Sequence, residues 1–70
     1  MLSLTINGKK REFAAGLIKA TLSSLLDELG INHATIVAEV DGEIIKRQDF
    51  DETKLSSGQR IELVRFVGGG

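Results

Sequence analysis

The chain has 70 residues, no cysteine, no proline and a formal net charge of −1. This length supports one domain, whose thin core hides only about 60% of the unfolded surface, so a deep enclosed catalytic pocket is not expected. Thiolate zinc and iron–sulfur sites are excluded, and a near-neutral chain with three aromatic residues, Phe13, Phe50 and Phe66, argues against a nucleic-acid partner.

The run Lys9, Lys10, Arg11 is short and offset by Glu12. No apolar stretch is long enough to cross a bilayer, and neither a signal peptide nor a lipidation motif stands out, so the default setting is soluble and cytoplasmic with no membrane partner.

Leu2, Leu4 and Ile6 alternate with Ser3, Thr5 and Asn7, the period of a half-buried strand. Asn7-Gly8 is a strong hairpin signal, because a type I′ turn needs positive φ at both central residues. A second strand is expected over 10–14, with Phe13 pointing inward. Residues 15–20 form a connection in which Gly16 is a turn residue.

Thr21 has the chemistry of a helix N-cap. Leu22, Leu25, Leu26 and Leu29 follow at helical spacing and form one apolar stripe, which places Ser23, Ser24, Asp27 and Glu28 outward. Gly30 is expected to end the helix, with Ile31 as its apolar follower.

Residues 32–35 read as a loop. Ile36, Ala38 and Val40 then form one face of a strand, with Val37 and Glu39 on the other. Asp41-Gly42 marks a second hairpin, followed by a short strand over 43–47. Residues 48–55 read as a loop or single helical turn anchored by Phe50 and Leu55. Ser57-Gly58 is a further turn. The last strand is expected over 60–67, with Ile61 and Leu63 inward and Val64 and Phe66 on the opposite face.

The order β-β-α-β-β-β, with one helix against a mixed sheet, defines an α+β β-grasp, the ubiquitin-like fold. Residues 1–67 form the domain and residues 68–70 a flexible tail. Gly68, Gly69 and Gly70 cannot pack a core. Lacking Cβ atoms, they suit a narrow channel in another protein, and each residue adds at most ~3.3–3.6 Å of reach. A carboxylate at Gly70 is a poor electrophile. Converted to an acyl-adenylate, it accepts a sulfur nucleophile and becomes a thiocarboxylate, with no catalytic side chain needed from this chain.

Several landmarks together resemble the ThiS family of sulfur carriers of thiamine thiazole biosynthesis. They are Asn7-Gly8, Thr21-Leu22-Ser23-Ser24-Leu25-Leu26, Leu29-Gly30, Val40-Asp41-Gly42-Glu43-Ile44-Ile45 and the terminal Val64-Arg65-Phe66-Val67-Gly68-Gly69-Gly70. The resemblance covers essentially the whole chain and rests on order and spacing, since each internal piece is common alone. It implies that a ThiF-like adenylating enzyme uses ATP-Mg to adenylate the Gly70 carboxylate. Sulfur then comes from a persulfide supplied through a cysteine desulfurase and passes to a ThiG-like thiazole synthase. The chain itself is then a co-substrate rather than an enzyme and binds no cofactor. Two departures stand out: the link over 16–21 is about two residues longer than the usual connection, and Lys46 occupies a position where many members carry proline.

Other residues point less far. His33 is the sole histidine and reads as a solvated loop residue. Asp49, Asp51 and Glu52 lack calcium-loop spacing and read as a solvated acidic loop, so no metal site is expected. Val37, Val64 and Phe66 share the sheet face opposite the helix and form a candidate docking patch beside the tail.

The main alternative is the small subunit of molybdopterin synthase (MoaD-like), which has the same fold and tail chemistry but would pair with a different large subunit. A non-covalent β-grasp module would work without Gly69 and Gly70, and a protein modifier would leave isopeptide conjugates.

Overall fold

The computed structural model describes residues 1–14 and 20–66. Among these residues five strands, β1 (Leu2–Ile6), β2 (Lys9–Phe13), β3 (Ile36–Val40), β4 (Glu43–Ile45) and β5 (Arg60–Arg65), form one sheet, and one α-helix, α1 (Leu22–Glu28), packs on it. The sheet order is β2-β1-β5-β3-β4. β1 runs parallel to β5, and the other three neighbours pair antiparallel. The β-grasp expectation is therefore met.

Both hairpins turn as their dipeptides require. φ is positive at Asn7 (50°) and Gly8 (83°), and again at Asp41 (50°) and Gly42 (86°). Each turn is also tied to β5. The Asn7 N–H donates to Ile61 O at 2.9 Å, and the Asp41 N–H donates to Arg60 O at 2.8 Å. The Arg60 N–H returns to Asp41 Oδ1 at 2.9 Å.

The helix starts at a cap and ends at a glycine. The Thr21 side chain accepts from the Ser24 N–H at 3.2 Å. The amides of Leu22 and Ser23 donate to Thr53 O and Phe50 O, so the loop after β4 satisfies donors that a helix N-terminus leaves open. At the other end Gly30 has φ 71°. Its N–H donates to Asp27 O, and the Ile31 N–H donates to Leu26 O; these two bonds make a Schellman cap.

Leu22, Leu25 and Leu26 are fully buried, each contributing roughly 1.5–3 kcal/mol of apolar transfer. They pack with Leu4, Phe13, Ile36, Ala38, Ile61 and Leu63 from the sheet, and with Phe50 and Leu55 from the loop.

Five local expectations change, one being that β5 ends at Arg65, short of the expected 67, with Phe66 already outside the strand. Ser23 does not face water: it is 8% exposed, and its hydroxyl donates to an Asp51 carboxylate oxygen, so part of the acidic loop is a helix tether. His33 lies in a 3₁₀ turn, His33–Thr35, with Nε2 2.9 Å from Asp27 Oδ1 and its ring edge-on to Phe50. β4 stops at Ile45 because Lys46 opens a second 3₁₀ turn, Arg47–Asp49, closed by the Asp49 N–H on Lys46 O. β2 begins one residue earlier than expected.

Residues 15–19 and 67–70, which include the expected turn residue Gly16 and the expected tail Gly68, Gly69 and Gly70, lie outside the described residues. Among the described residues no helix is long and apolar enough to cross a membrane.

Candidate functional site: the open sheet face

Among the described residues the helix lies on one side of the sheet and the other side has no packing layer. Strand alternation decides what lies there. In β5, Ile61 and Leu63 are buried while Val64 is 55% exposed. In β3, Ile36, Ala38 and Val40 are buried while Val37 is 36% exposed. Val37 and Val64 are direct partners in the β3–β5 register, so the two apolar side chains stand side by side on the open face. Phe66 continues the parity of Val64 just past the strand and is 48% exposed. Its N–H donates to Thr35 O at 3.2 Å, which fixes the chain as it leaves the sheet. The three residues of the expected patch thus share one face, at the end of the strand that leads toward Gly68–Gly70.

The same face carries Ile44, which the sequence reading did not single out. It pairs with Glu39 across β3–β4 and is 65% exposed. Its signal was available: of the adjacent Ile44 and Ile45 only one can face the helix in a strand, and Ile45 packs against the core. Glu39 also faces Glu62 on β5, so two carboxylates border the apolar group.

The side chains of this patch and its border are aliphatic, aromatic and carboxylate groups. Among the described residues no group of three or more His, Cys, Asp or Glu side chains is arranged to hold a metal ion. The Ser23 hydroxyl is committed to Asp51, and the one histidine pairs with an exposed aspartate beside a phenylalanine ring.

The fold defines a β-grasp domain whose sheet face away from the helix carries exposed apolar side chains on β3, β4 and β5. Comparison with known proteins narrows this class. The ThiS family model matches residues 4–70, and the chain belongs to that family. A sulfur carrier protein ThiS of Bacillus subtilis (strain 168) is 31% identical over 67 residues, covering 96% of this chain and 98% of that protein. A thiazole synthase of Paramagnetospirillum magneticum is 33% identical over 69 residues. That match takes in 99% of this chain but only 20% of the synthase, so the chain spans about a fifth of that relative's length. The crystal structure of a thiamine biosynthesis protein (ThiS) from Geobacter metallireducens superposes with a TM-score of 0.82 at 31% identity, covering 99% of this chain and all of that one. The solution structure of a thiamine biosynthesis protein from the same organism gives 0.77.

Proposed function

We propose that the chain is a sulfur carrier for thiamine thiazole biosynthesis and that its working group is the carboxylate of Gly70. The observation that carries the reading is the ThiS family match across residues 4–70, which takes in the three terminal glycines. It is supported by the thiazole synthase that contains a segment similar to this whole chain.

The chemistry proceeds on the tail. A ThiF-like adenylating enzyme brings ATP-Mg to the Gly70 carboxylate. One carboxylate oxygen attacks the α-phosphorus, pyrophosphate leaves and an acyl-adenylate forms. The terminal sulfur of a persulfide, loaded by a cysteine desulfurase, attacks the acyl carbon and expels AMP. A second thiol then attacks the cysteine sulfur of the resulting acyl disulfide, forms a disulfide with that cysteine and frees the thiocarboxylate as the leaving group. A ThiG-like thiazole synthase receives the sulfur. ATP and free thiols place the cycle in the cytoplasm.

In this cycle the chain is a co-substrate, not an enzyme. Gly68 and Gly69 supply a thin lead into the enzyme channel, since a backbone without Cβ atoms passes where side chains would clash. Val37, Val64 and Phe66 supply docking area next to that lead. Exposed apolar groups at a strand exit are suited to a transient interface.

The test is the intact mass of the protein after incubation with the adenylating enzyme, ATP-Mg and a persulfide source. The expected change is the replacement of one oxygen by sulfur, located on Gly70 by fragmentation and dependent on ATP. Fragmentation also separates it from oxidation of Met1. No change with a demonstrably active partner set overturns the thiamine-carrier reading and favours the MoaD-like carrier or a non-covalent module.

A further inference from the structure

The helix side of the sheet has its own opening. The core is sealed along α1: Leu22, Leu25 and Leu26, with Ile61 on β5, are 0% exposed. Beyond the C-terminal end of the helix the seal is incomplete. Ile6, Ile36 and Leu63 retain 8%, 7% and 9% exposure. They form the floor of an open groove of about 510 Å³, with Leu29 and Ile31 on one side. Its lip is rigid, because the Asn7 amide is bonded at both ends to the Leu63 backbone.

Three cations surround this apolar floor: Lys9 and Arg11 on β2 and Arg65 on β5. All three are exposed. The ion pair present among the described residues joins His33 and Asp27, so none of the three has a carboxylate partner among those residues. The chain as a whole is slightly acidic, yet this opening is rimmed by positive charge.

We propose that the groove docks an extended acidic segment of a partner protein, with apolar side chains on the floor and carboxylates toward the rim. The spacing of the charges selects this occupant. β2 and β5 are separated by β1, and Lys9 stands level with Ile6 and Ile61, so Arg65 lies further along β5; the Lys9 and Arg65 backbones are roughly 16 Å apart and Arg11 is farther still. One carboxylate or phosphate cannot satisfy both sides. An extended chain places successive side chains on opposite faces and repeats each face about every 6.6 Å. Leucine-like groups then face Ile6, Ile36 and Leu63 while several carboxylates reach the separate cations. The floor holds only aliphatic side chains, so it offers no platform for stacking nucleic-acid bases. The proposal stands apart from the carrier cycle and from the open-face patch, which lies on the other side of the sheet.

The probe is a synthetic peptide of alternating leucine and glutamate, about ten residues long, enough to span the strands. It is titrated into the full isotope-labelled chain and followed by amide chemical shifts. Saturable shifts are expected at Lys9, Arg11, Leu63 and Arg65. The affinity should fall as salt screens the charges. The double variant K9E/R65E, changed only at exposed positions, should bind roughly tenfold or more weakly. Arg11 is left in place because its guanidinium lies 5.7 Å from the Phe13 ring centroid. Circular dichroism checks that the variant is folded. Octanoate is the comparison ligand. Tighter binding of octanoate than of the peptide would make the groove a small-anion site and overturn the proposal. Peptide shifts centred on Val37 and Val64, or no saturable shifts, would overturn it as well.

Discussion

Asn7 and Leu63 exchange two hydrogen bonds through the asparagine side chain: the Leu63 N–H donates to Asn7 Oδ1 at 2.7 Å, and Asn7 Nδ2 donates to Leu63 O at 3.2 Å. A side-chain amide thus supplies a rung between the first turn and β5, past the end of the parallel β1–β5 register. The same residue holds the positive φ that the turn needs.

Asn7 can be dissected by two substitutions. Asn7→Gly keeps the turn conformation and loses the rung, at an expected cost of about 1–2 kcal/mol. Asn7→Ala loses the rung and also strains the left-handed backbone, which adds roughly 1 kcal/mol. Denaturant unfolding at equilibrium measures both. Equal losses for the two variants would contradict the double role.

Ser23 and Asp51 join the helix to the loop after β4. Asp51→Ala leaves a buried hydroxyl without its acceptor and should cost about 1–3 kcal/mol. Ser23→Ala releases an exposed carboxylate to water and should cost about 1 kcal/mol or less. The double variant should be no less stable than Asp51→Ala alone. A double-mutant cycle in urea reads the coupling, and strict additivity would mean that the bond contributes nothing.

Two residues at the ends of the helix should respond with opposite signs. A Cβ at Gly30 would meet nothing within 4 Å, so the cost of Gly30→Ala is conformational alone, about 1 kcal/mol at its φ of 71°. Ala20 already carries a Cβ at φ 57°, and Ala20→Gly should therefore stabilise by roughly 0.5–1 kcal/mol. Thermal melts of the two variants should move in opposite directions.

Phe66→Glu places a charge in the open-face patch without touching the core. Since Phe66 is 48% exposed, stability should stay within about 0.5 kcal/mol of the parent. Affinity for the adenylating enzyme should fall roughly tenfold or more. Calorimetric titration of the folded variant checks this, and unchanged affinity removes Phe66 from the docking surface.

The elements that follow from local chemistry are legible in the sequence. Asn7-Gly8, Asp41-Gly42, Thr21 and Leu29-Gly30 each encode their geometry in neighbouring residues, and strand parity placed Val37, Val64 and Phe66 on one face. What was not legible depends on contacts between distant segments. Ser23 looks solvent-facing by helical period, but Asp51, 28 residues on, arrives over it. His33 likewise acquires Asp27 and the edge of Phe50 only when the loop folds back. The groove is a third example: Lys9 and Arg11 are far from Arg65 in sequence, and only the parallel pairing of β1 with β5 brings them to one opening.

β5 is the last strand in chain order but the middle strand of the sheet, zipped to β1 on one side and to β3 on the other. A pull applied beyond Phe66 therefore acts along a strand held by two ladders, and the hydrogen bonds of both must slide together rather than open one after another. Asn7 and Asp41 add a clamp from each hairpin. An enzyme that draws the segment after Phe66 into a channel meets a mechanical stop at Arg65: the force is spread through the whole sheet, and the body is not unravelled from its end.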